Sequence, residues 1–270
     1  MADPTKEDAI RGVVRASVQS FAEGFKGRHV GESEDPDGTI NSKINNVFMK
    51  ALGPEIVYYS SLVRSFDSTL GNTIEKMAIN IAEFSFDVNN EVSGPISKKQ
   101  THLISDLLSA YKNHIKKPEI GDYLELRNIE LTDDEIEETK THSSDYYLTD
   151  EETGENYLIE LKIGGDLDNK KARSEKSALL EQYAILSNHL SGNEPIHLRF
   201  ATAYNKYGTG NEWKQQRVRQ FFADEELLIE KDFWNFICQR EDGFEIVISE
   251  YKNSAHLIKD ALAEIKNAYL

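Results

Sequence analysis

The chain lacks most of what would build a disulfide scaffold, a zinc site or a membrane span. It has a single cysteine, Cys238, in 270 residues, so neither an intrachain disulfide nor a cysteine-rich zinc site is available. The seven histidines show no HxxxH or comparable metal spacing. No apolar run approaches the roughly 20 residues needed to cross a bilayer, and the opening MADPTKEDA is too polar for a secretory signal. No Pro/Ser-rich linker divides the chain, which is near the upper length for one hydrophobic core. These absences predict a soluble cytoplasmic protein forming one domain over 1–270, with no membrane partner and no small organic cofactor.

Positive charge is also scarce. Lys and Arg number 31 against 47 Asp and Glu, a net charge of −16, which argues against a partner held by broad electrostatic attraction to phosphate. The distribution is uneven. From Asp122 to Glu160 there are 14 acidic residues against Arg127 and Lys140, a local charge of −12, with clusters at Thr132–Glu138 and Asp150–Glu152. From Ile196 to Gln220 the five basic residues Arg199, Lys206, Lys214, Arg217 and Arg219 face only Glu212. Asn169–Lys176 (NKKARSEK) adds a second basic cluster. A basic cleft in an acidic exterior is feasible if specific contacts outweigh long-range repulsion.

Two neighbouring segments carry chemistry. His142–Leu148 (HSSDYYL) and Tyr157–Lys162 (YLIELK) both read as strands, joined by the polar, Gly-bearing turn TDEETGEN. Strand side chains alternate faces, so Glu160 and Lys162 share one and Leu161 takes the other. A hairpin would bring Asp145, 15 positions upstream, alongside them. Two carboxylates and an ammonium at one sheet edge outline a Mg²⁺-dependent phosphodiesterase site. Mg²⁺ takes oxygen ligands, commonly one or two carboxylates with water and phosphate completing the shell. Asp145 and Glu160 are the candidate ligands, the Leu161 carbonyl could add an oxygen, and Lys162 would orient the attacking water or stabilise the transition state. Glu-x-Lys on a solvated strand is common, because charged alternation is what such a face looks like. Here the strand is mostly apolar, which suits a central position where a charge needs a reason.

Asp145…Glu160-Leu161-Lys162 matches the PD-(D/E)xK nuclease pattern, with Ser144 where that pattern often has Pro. The wider segment from Ser143 to Ala184, above all Lys162–Lys171 (KIGGDLDNKK), resembles the TdeIII-type family of type II restriction endonucleases. That resemblance implies a bacterial or archaeal restriction enzyme that cuts double-stranded DNA as a homodimer, at a GGNCC-like site. The convergence of Asp145, Glu160 and Lys162 itself predicts Mg²⁺-dependent cleavage that leaves 5′-phosphate ends, at a short (pseudo)palindromic site. Nucleases of this kind often place a further metal-binding Glu on a helix packed against the catalytic strands. Glu75, on a helix expected to open at Gly71, fits by order; its plain alternative is a first-turn Glu favoured by the helix dipole.

Gly164–Asn169 (GGDLDN) reads as a turn with Asp166 or Asp168 as N-cap, or as a phosphate approach flanked by Lys170, Lys171 and Arg173. The loop Tyr204–Asn211 and the basic stretch Glu212–Arg219, with Lys206, Lys214 and Arg217, are the candidate DNA-reading elements. The plain alternative buries Trp213, Val218 and Phe221 or Phe222. His142 reads as a strand-end surface residue.

Elsewhere, the capped segment 5–25 predicts an amphipathic helix, and Lys26–Asn41 a mobile loop. Helices are expected over Asn41–Leu52, Pro54–Phe66, Asn72–Phe84 and Ser97–Ile115, a strand over Leu124–Leu131, helix Lys170–Leu190 and strand Ile196–Ala203. Phe244–Ser249 reads as a strand and Ser254–Ala268 as a helix. The expected fold is α/β: a helical region 1–115, then a mixed sheet flanked by helices over 116–270. Two other functions fit the same residues: a repair or recombination nuclease acting on structured DNA, and a non-catalytic acidic binding protein.

Overall fold

The computed structural model describes residues 5–129, 131, 136–190 and 194–270, with the side chains of 136–138, 143 and 145 outside that description. The acidic run Thr132–Glu138 therefore falls largely outside it. The chain divides into two compact units, residues 1–81 with 245–270, and residues 82–244.

The first unit is helical. Helix α1 (Lys6–Gly31) starts from a reciprocal cap between Thr5 and Asp8, as the sequence predicts. Ile10, Val14, Val18, Phe21 and Phe25 are buried along one face. Beyond Gly31 the chain is tied down where a mobile loop is expected. Asn41 Nδ2 donates to the carbonyls of Glu32, Ser33 and Asp35, and Glu32 accepts from Thr39 N–H at 2.7 Å. The helix expected over Asn41–Leu52 is a 3₁₀ turn (Asn41–Asn45) and a short α2 (Val47–Lys50), broken at Asn46, whose side chain caps α2.

Two helices expected on either side of Gly71 form one, α3 (Pro54–Ala82). Gly71 opens nothing; one glycine costs a helix only about 1 kcal/mol relative to alanine. The Ile246–Ser249 segment, β-branched and strand-like in sequence, lies inside α8 (Gly243–Tyr269). Burial at Ile246, Glu250, Ser254, Ile258, Ala261 and Ile265 follows helical spacing, so tertiary packing overrides local preference. Glu250 is buried against Arg15 at 2.9 Å and Arg11 at 3.6 Å.

The second unit is built on a mixed five-stranded sheet in the order β1-β2-β3-β4-β5. Strands β1 (Phe86–Ser97), β2 (Ile136–Asp150) and β3 (Asn156–Leu161) are antiparallel neighbours, and β4 (Ile196–Thr202) and β5 (Leu227–Ile229) continue in parallel. The fold is thus the α/β class expected, with two differences. Strand β1 carries Asn89, Asn90, Gly94 and Pro95, residues that hide a strand from propensity. The expected strand at 124–131 is mostly a 3₁₀ segment (Ile120–Asn128), where Tyr123 and Leu126 are buried three residues apart and Leu124 is exposed.

Helices α4 (Lys98–Lys112) and α5 (Asn169–His189) cover one face of the sheet, with Leu158, Leu179, Leu180, Tyr183, Leu198 and Phe200 in the shared core. Helix α7 (Lys231–Cys238) covers the other, where Phe233 meets Tyr146 and Phe236 meets Phe86 and Tyr157. At Gly94 a Cβ would fall 2.1 Å from His189 Nε2 and 2.8 Å from Ile185 on α5, so this glycine lets helix and sheet approach.

Candidate active site

Strand β3 carries the centre of the site. Leu158, Glu160 and Lys162 lie on the α5 face, and Ile159 and Leu161 on the other. Glu160 is buried, and its Oε1 accepts from Lys162 Nζ. The Lys162 N–H is itself fixed by the Ala201 carbonyl at 3.0 Å, so β4 holds the end of β3 in place.

Asp145 belongs to β2. The β2–β3 ladder pairs Tyr146 with Ile159, so Asp145 and Glu160 are the next residues along their strands at one end of that ladder. The β1–β2 register shifts between Asn89 and Glu91, whose partners are Tyr147 and Ser143. Asp145 therefore sits in a bulged stretch of β2, and bulges re-aim side chains beside active sites. The Asp145 side chain lies outside the described residues.

Helix α5 adds a carboxylate that the sequence reading passed over. Glu175 Oε1 lies 3.4 Å from Lys162 Nζ. Glu175 sits inside what reads as a basic run, and only the angle of α5 across β3 shows where it faces. His142 is also not a free surface residue. It is partly buried, 3.0 Å from Glu181 of α5, which also pairs with Lys140 at 3.1 Å. Burial opposes ionisation of Glu181, but hydrogen bonds from His142 and Lys140 outweigh it and hold this carboxyl below its ordinary pKa.

The expected reading segment is fastened to the turn that follows Lys162. Gln215 Nε2 donates to the Gly165 carbonyl at 3.3 Å and to Asp166 at 2.9 Å, and Lys206 pairs with Asp166 at 3.0 Å. The Lys206 and Gln215 hydrogen bonds hold the Asp166 carboxyl below its usual range. The paired glycines serve this packing. A Cβ on Gly164 would fall 2.5 Å from the Tyr204 hydroxyl; Gly165, with φ +65°, has Thr202 at 2.6 Å and Trp213 at 3.0 Å. Asp168 is the cap of α5, accepting from Lys171 N–H at 2.8 Å.

The loop 205–211 is built around Glu230, which is buried and accepts from Asn205 N–H at 3.3 Å, Thr209 Oγ1 at 3.0 Å and Gly210 N–H at 3.4 Å. It presents Tyr204, Lys206 and Tyr207 outward. Trp213, Val218, Phe221 and Phe222 are buried, while Lys214 and Arg217 are exposed. The basic helix is only four residues long, α6 (Gln216–Arg219).

Arg217 lines a groove of about 680 Å³ whose other bank carries His114, Lys116 and Lys117. Gln220 joins the banks, donating to the Tyr111 and Lys112 carbonyls at 3.2 and 3.0 Å. The two lysines were missed because they lie far from the basic stretch in sequence. Of the α5 cations, Lys170 and Lys171 are exposed and Arg173 is partly buried. Lys176, at the end of the same basic run, is buried against Glu226 and is no part of a surface cluster. Glu75 lies in α3, in the first unit.

Residues 8–255 match the family described as type II restriction endonuclease, HinfI. The chain belongs to this family. HinfI-type membership makes it a nuclease with DNA as its substrate and replaces the binding-protein alternative. It bears out the type II restriction endonuclease resemblance at that coarser level, without confirming the TdeIII-type assignment. No curated protein sequence matches the chain.

The donors at the site suit the cation such enzymes generally use. Among the described residues no three His, Cys, Asp or Glu side chains converge. Mg²⁺ needs fewer, since water and substrate phosphate fill most of its six positions. Glu160, the Leu161 carbonyl and Asp145 would be the oxygen donors. No helix among the described residues is long and apolar enough to cross a membrane.

Proposed function

We propose that this HinfI-type chain is a Mg²⁺-dependent endonuclease that hydrolyses both strands of a short, pseudo-palindromic DNA site and leaves 5′-phosphate ends. The observation that carries the reading is the Glu160–Lys162 pair at the end of β3, with Asp145 and Glu160 each one residue beyond the Tyr146–Ile159 pair. Glu160 and Asp145 would hold the cation, and the chemistry it would supply there is a lowered pKa for a bound water and a positive charge near the phosphate. Lys162 would orient the attacking water and offset the negative charge of the pentacovalent state by its ammonium. No protein atom becomes bonded to the substrate. Glu75 is retained as a candidate for a water-mediated contact with the cation.

DNA is held by exposed or partly exposed cations of the second unit. Lys170, Lys171 and Arg173 stand at the start of α5, and Lys206, Lys214 and Arg217 on the segment stapled to the Gly164–Asp166 turn. Lys117 faces Arg217 across their groove. Base reading falls to at least one residue between Asn205 and Arg219, because an acidic protein gains little from non-specific attraction. A GGNCC-like sequence rests on the TdeIII-type likeness alone.

Two sites on a two-fold dimer match the symmetry of a palindrome. Val47, Phe48, Leu52, Ile56, Tyr59 and Val63 are each exposed along residues 47–63, and a homodimer that covers some of them is consistent with this symmetry. A bacterial or archaeal cytoplasm is the proposed setting.

Incubating the protein with plasmid DNA and Mg²⁺ tests the reading. Defined bands, lost on replacing Glu160 by Ala, are expected. Smears or junction-only cutting would favour the repair alternative, and no cutting in Mg²⁺ or Mn²⁺ would overturn the reading.

A further inference from the structure

We propose that Glu175 is a positioning residue for cleavage, the carboxylate that keeps the Lys162 ammonium in place when Glu160 is engaged by a divalent cation. This rests on the cleavage reading above. Lys162 touches Glu160 on its own strand and lies 3.4 Å from Glu175 on α5. The ammonium is thus suspended between strand and helix, which matters for a side chain with a flexible four-carbon stem.

A dication and an ammonium would compete for the Glu160 oxygens, and the ammonium then needs a second acceptor. Before DNA binds, Asp145 and Glu160 together with Lys162 and one Mg²⁺ carry a formal charge of +1, which Glu175 offsets in the free enzyme. Glu160 and Glu175 are both largely shielded from water, with side chains 11% and 25% exposed, so screening by solvent is reduced and the extra carboxylate counts for more.

The other acids near the start of α5 are already committed. Asp166 pairs with Lys206 and accepts from Gln215, Asp168 caps the helix, and Glu181 is held by Lys140 and His142. The Lys162 ammonium is paired with Glu160 and lies within 4 Å of Glu175.

The experiment compares wild type with Glu175→Gln, Glu175→Asp and, as control, Glu160→Ala. It measures single-turnover cleavage at saturating DNA, DNA affinity in Ca²⁺, Mg²⁺ affinity by calorimetry, and melting temperature. Glu175→Gln is expected to slow cleavage and weaken Mg²⁺ binding by about 10- to 100-fold, the usual cost of removing a group that supports a metal site from outside. DNA affinity and melting temperature should hold, and Glu175→Asp should restore part of both losses.

Wild-type rate and Mg²⁺ affinity in Glu175→Gln, alongside an inactive Glu160→Ala, would overturn this proposal and leave the cleavage reading intact. A lowered melting temperature with equal losses in Gln and Asp would assign Glu175 to structure and also overturn it. Wild-type protein inactive with every divalent metal would remove the cleavage reading and this proposal together.

Discussion

Lys162 and Lys176 each meet a glutamate on the α5 side of the sheet, in surroundings that differ sharply. Lys162 and Glu160 retain 32% and 11% of their side-chain exposure, whereas Lys176 and Glu226 retain 1% each. The Lys176 ammonium is enclosed by Tyr123 and Phe222, each ring centre 5.0 Å away, and burial pushes its pKa down. Glu226 is consumed by Lys176 and by the Ala223 N–H at 2.7 Å. Neither partner of that pair can turn to a ligand. Glu160 and Lys162 sit at a strand end next to a turn, where the Lys162 side chain keeps contact with water. The same two residue types thus build closed scaffold in one place and the candidate site in the other, and exposure separates the two.

The largest effect expected is at the open pair. Glu160→Ala should abolish measurable cleavage, because it removes a carboxylate that holds the cation, with little change in melting temperature. An active, folded variant would dissolve the contrast. At the closed pair the effect should be on stability. Lys176→Met leaves Glu226 buried and unpaired, costing about 3–5 kcal/mol in denaturant unfolding. The double variant Lys176→Met/Glu226→Leu should recover most of that loss; if it does not, the pair contributes more than mutual neutralisation.

A third variant lies between the two. Gly165→Ala places a Cβ against Thr202 and Trp213 in a backbone with φ +65°, and should cost about 1–3 kcal/mol by overpacking and strain. Because that turn also fastens Gln215, cleavage should fall as well, with unfolding and activity assays run on the same preparation. Unchanged activity would show that the turn does not position the reading segment.

The smallest effect concerns a base enclosed in the first unit. His29 is fully buried, its Nε2 3.0 Å from Ser65 Oγ, and burial lowers its pKa. The unfolded chain takes a proton near pH 6.5 that the folded chain accepts only lower. Stability present above that pH should decline as pH falls from about 6.5 toward the folded value. Melting temperature against pH should show this acid limb, and His29→Gln should flatten it.

Much of the fold was legible because local signals agreed with packing. The Thr5 and Asp168 caps, the hairpin of β2 and β3, α5 and β4 all follow from periodicity and turn chemistry. Strand β1 was hidden by its Asn, Gly and Pro residues, and the 3₁₀ segment after α4 mimicked strand alternation through its apolar spacing. Ile246–Ser249 has strand propensity that the burial of one helical face overrides. At the site, the spacing of Asp145, Glu160 and Lys162 was readable because one hairpin joins them. Glu175, Lys116 and Lys117 were not, because their neighbours are set by the crossing of α4, α5 and the 212–224 segment.

That hairpin has a consequence for how the molecule is assembled. Fifty residues separate Lys176 from Glu226, and joining them requires closing a long loop whose entropy cost grows with its length. Asp145 and Glu160 are placed one residue beyond the Tyr146–Ile159 pair by a turn of a few residues between adjacent strands. A short loop closes at a lower entropy cost than a long one, so the candidate site can form locally before the chain beyond β4 closes the contact between Lys176 and Glu226.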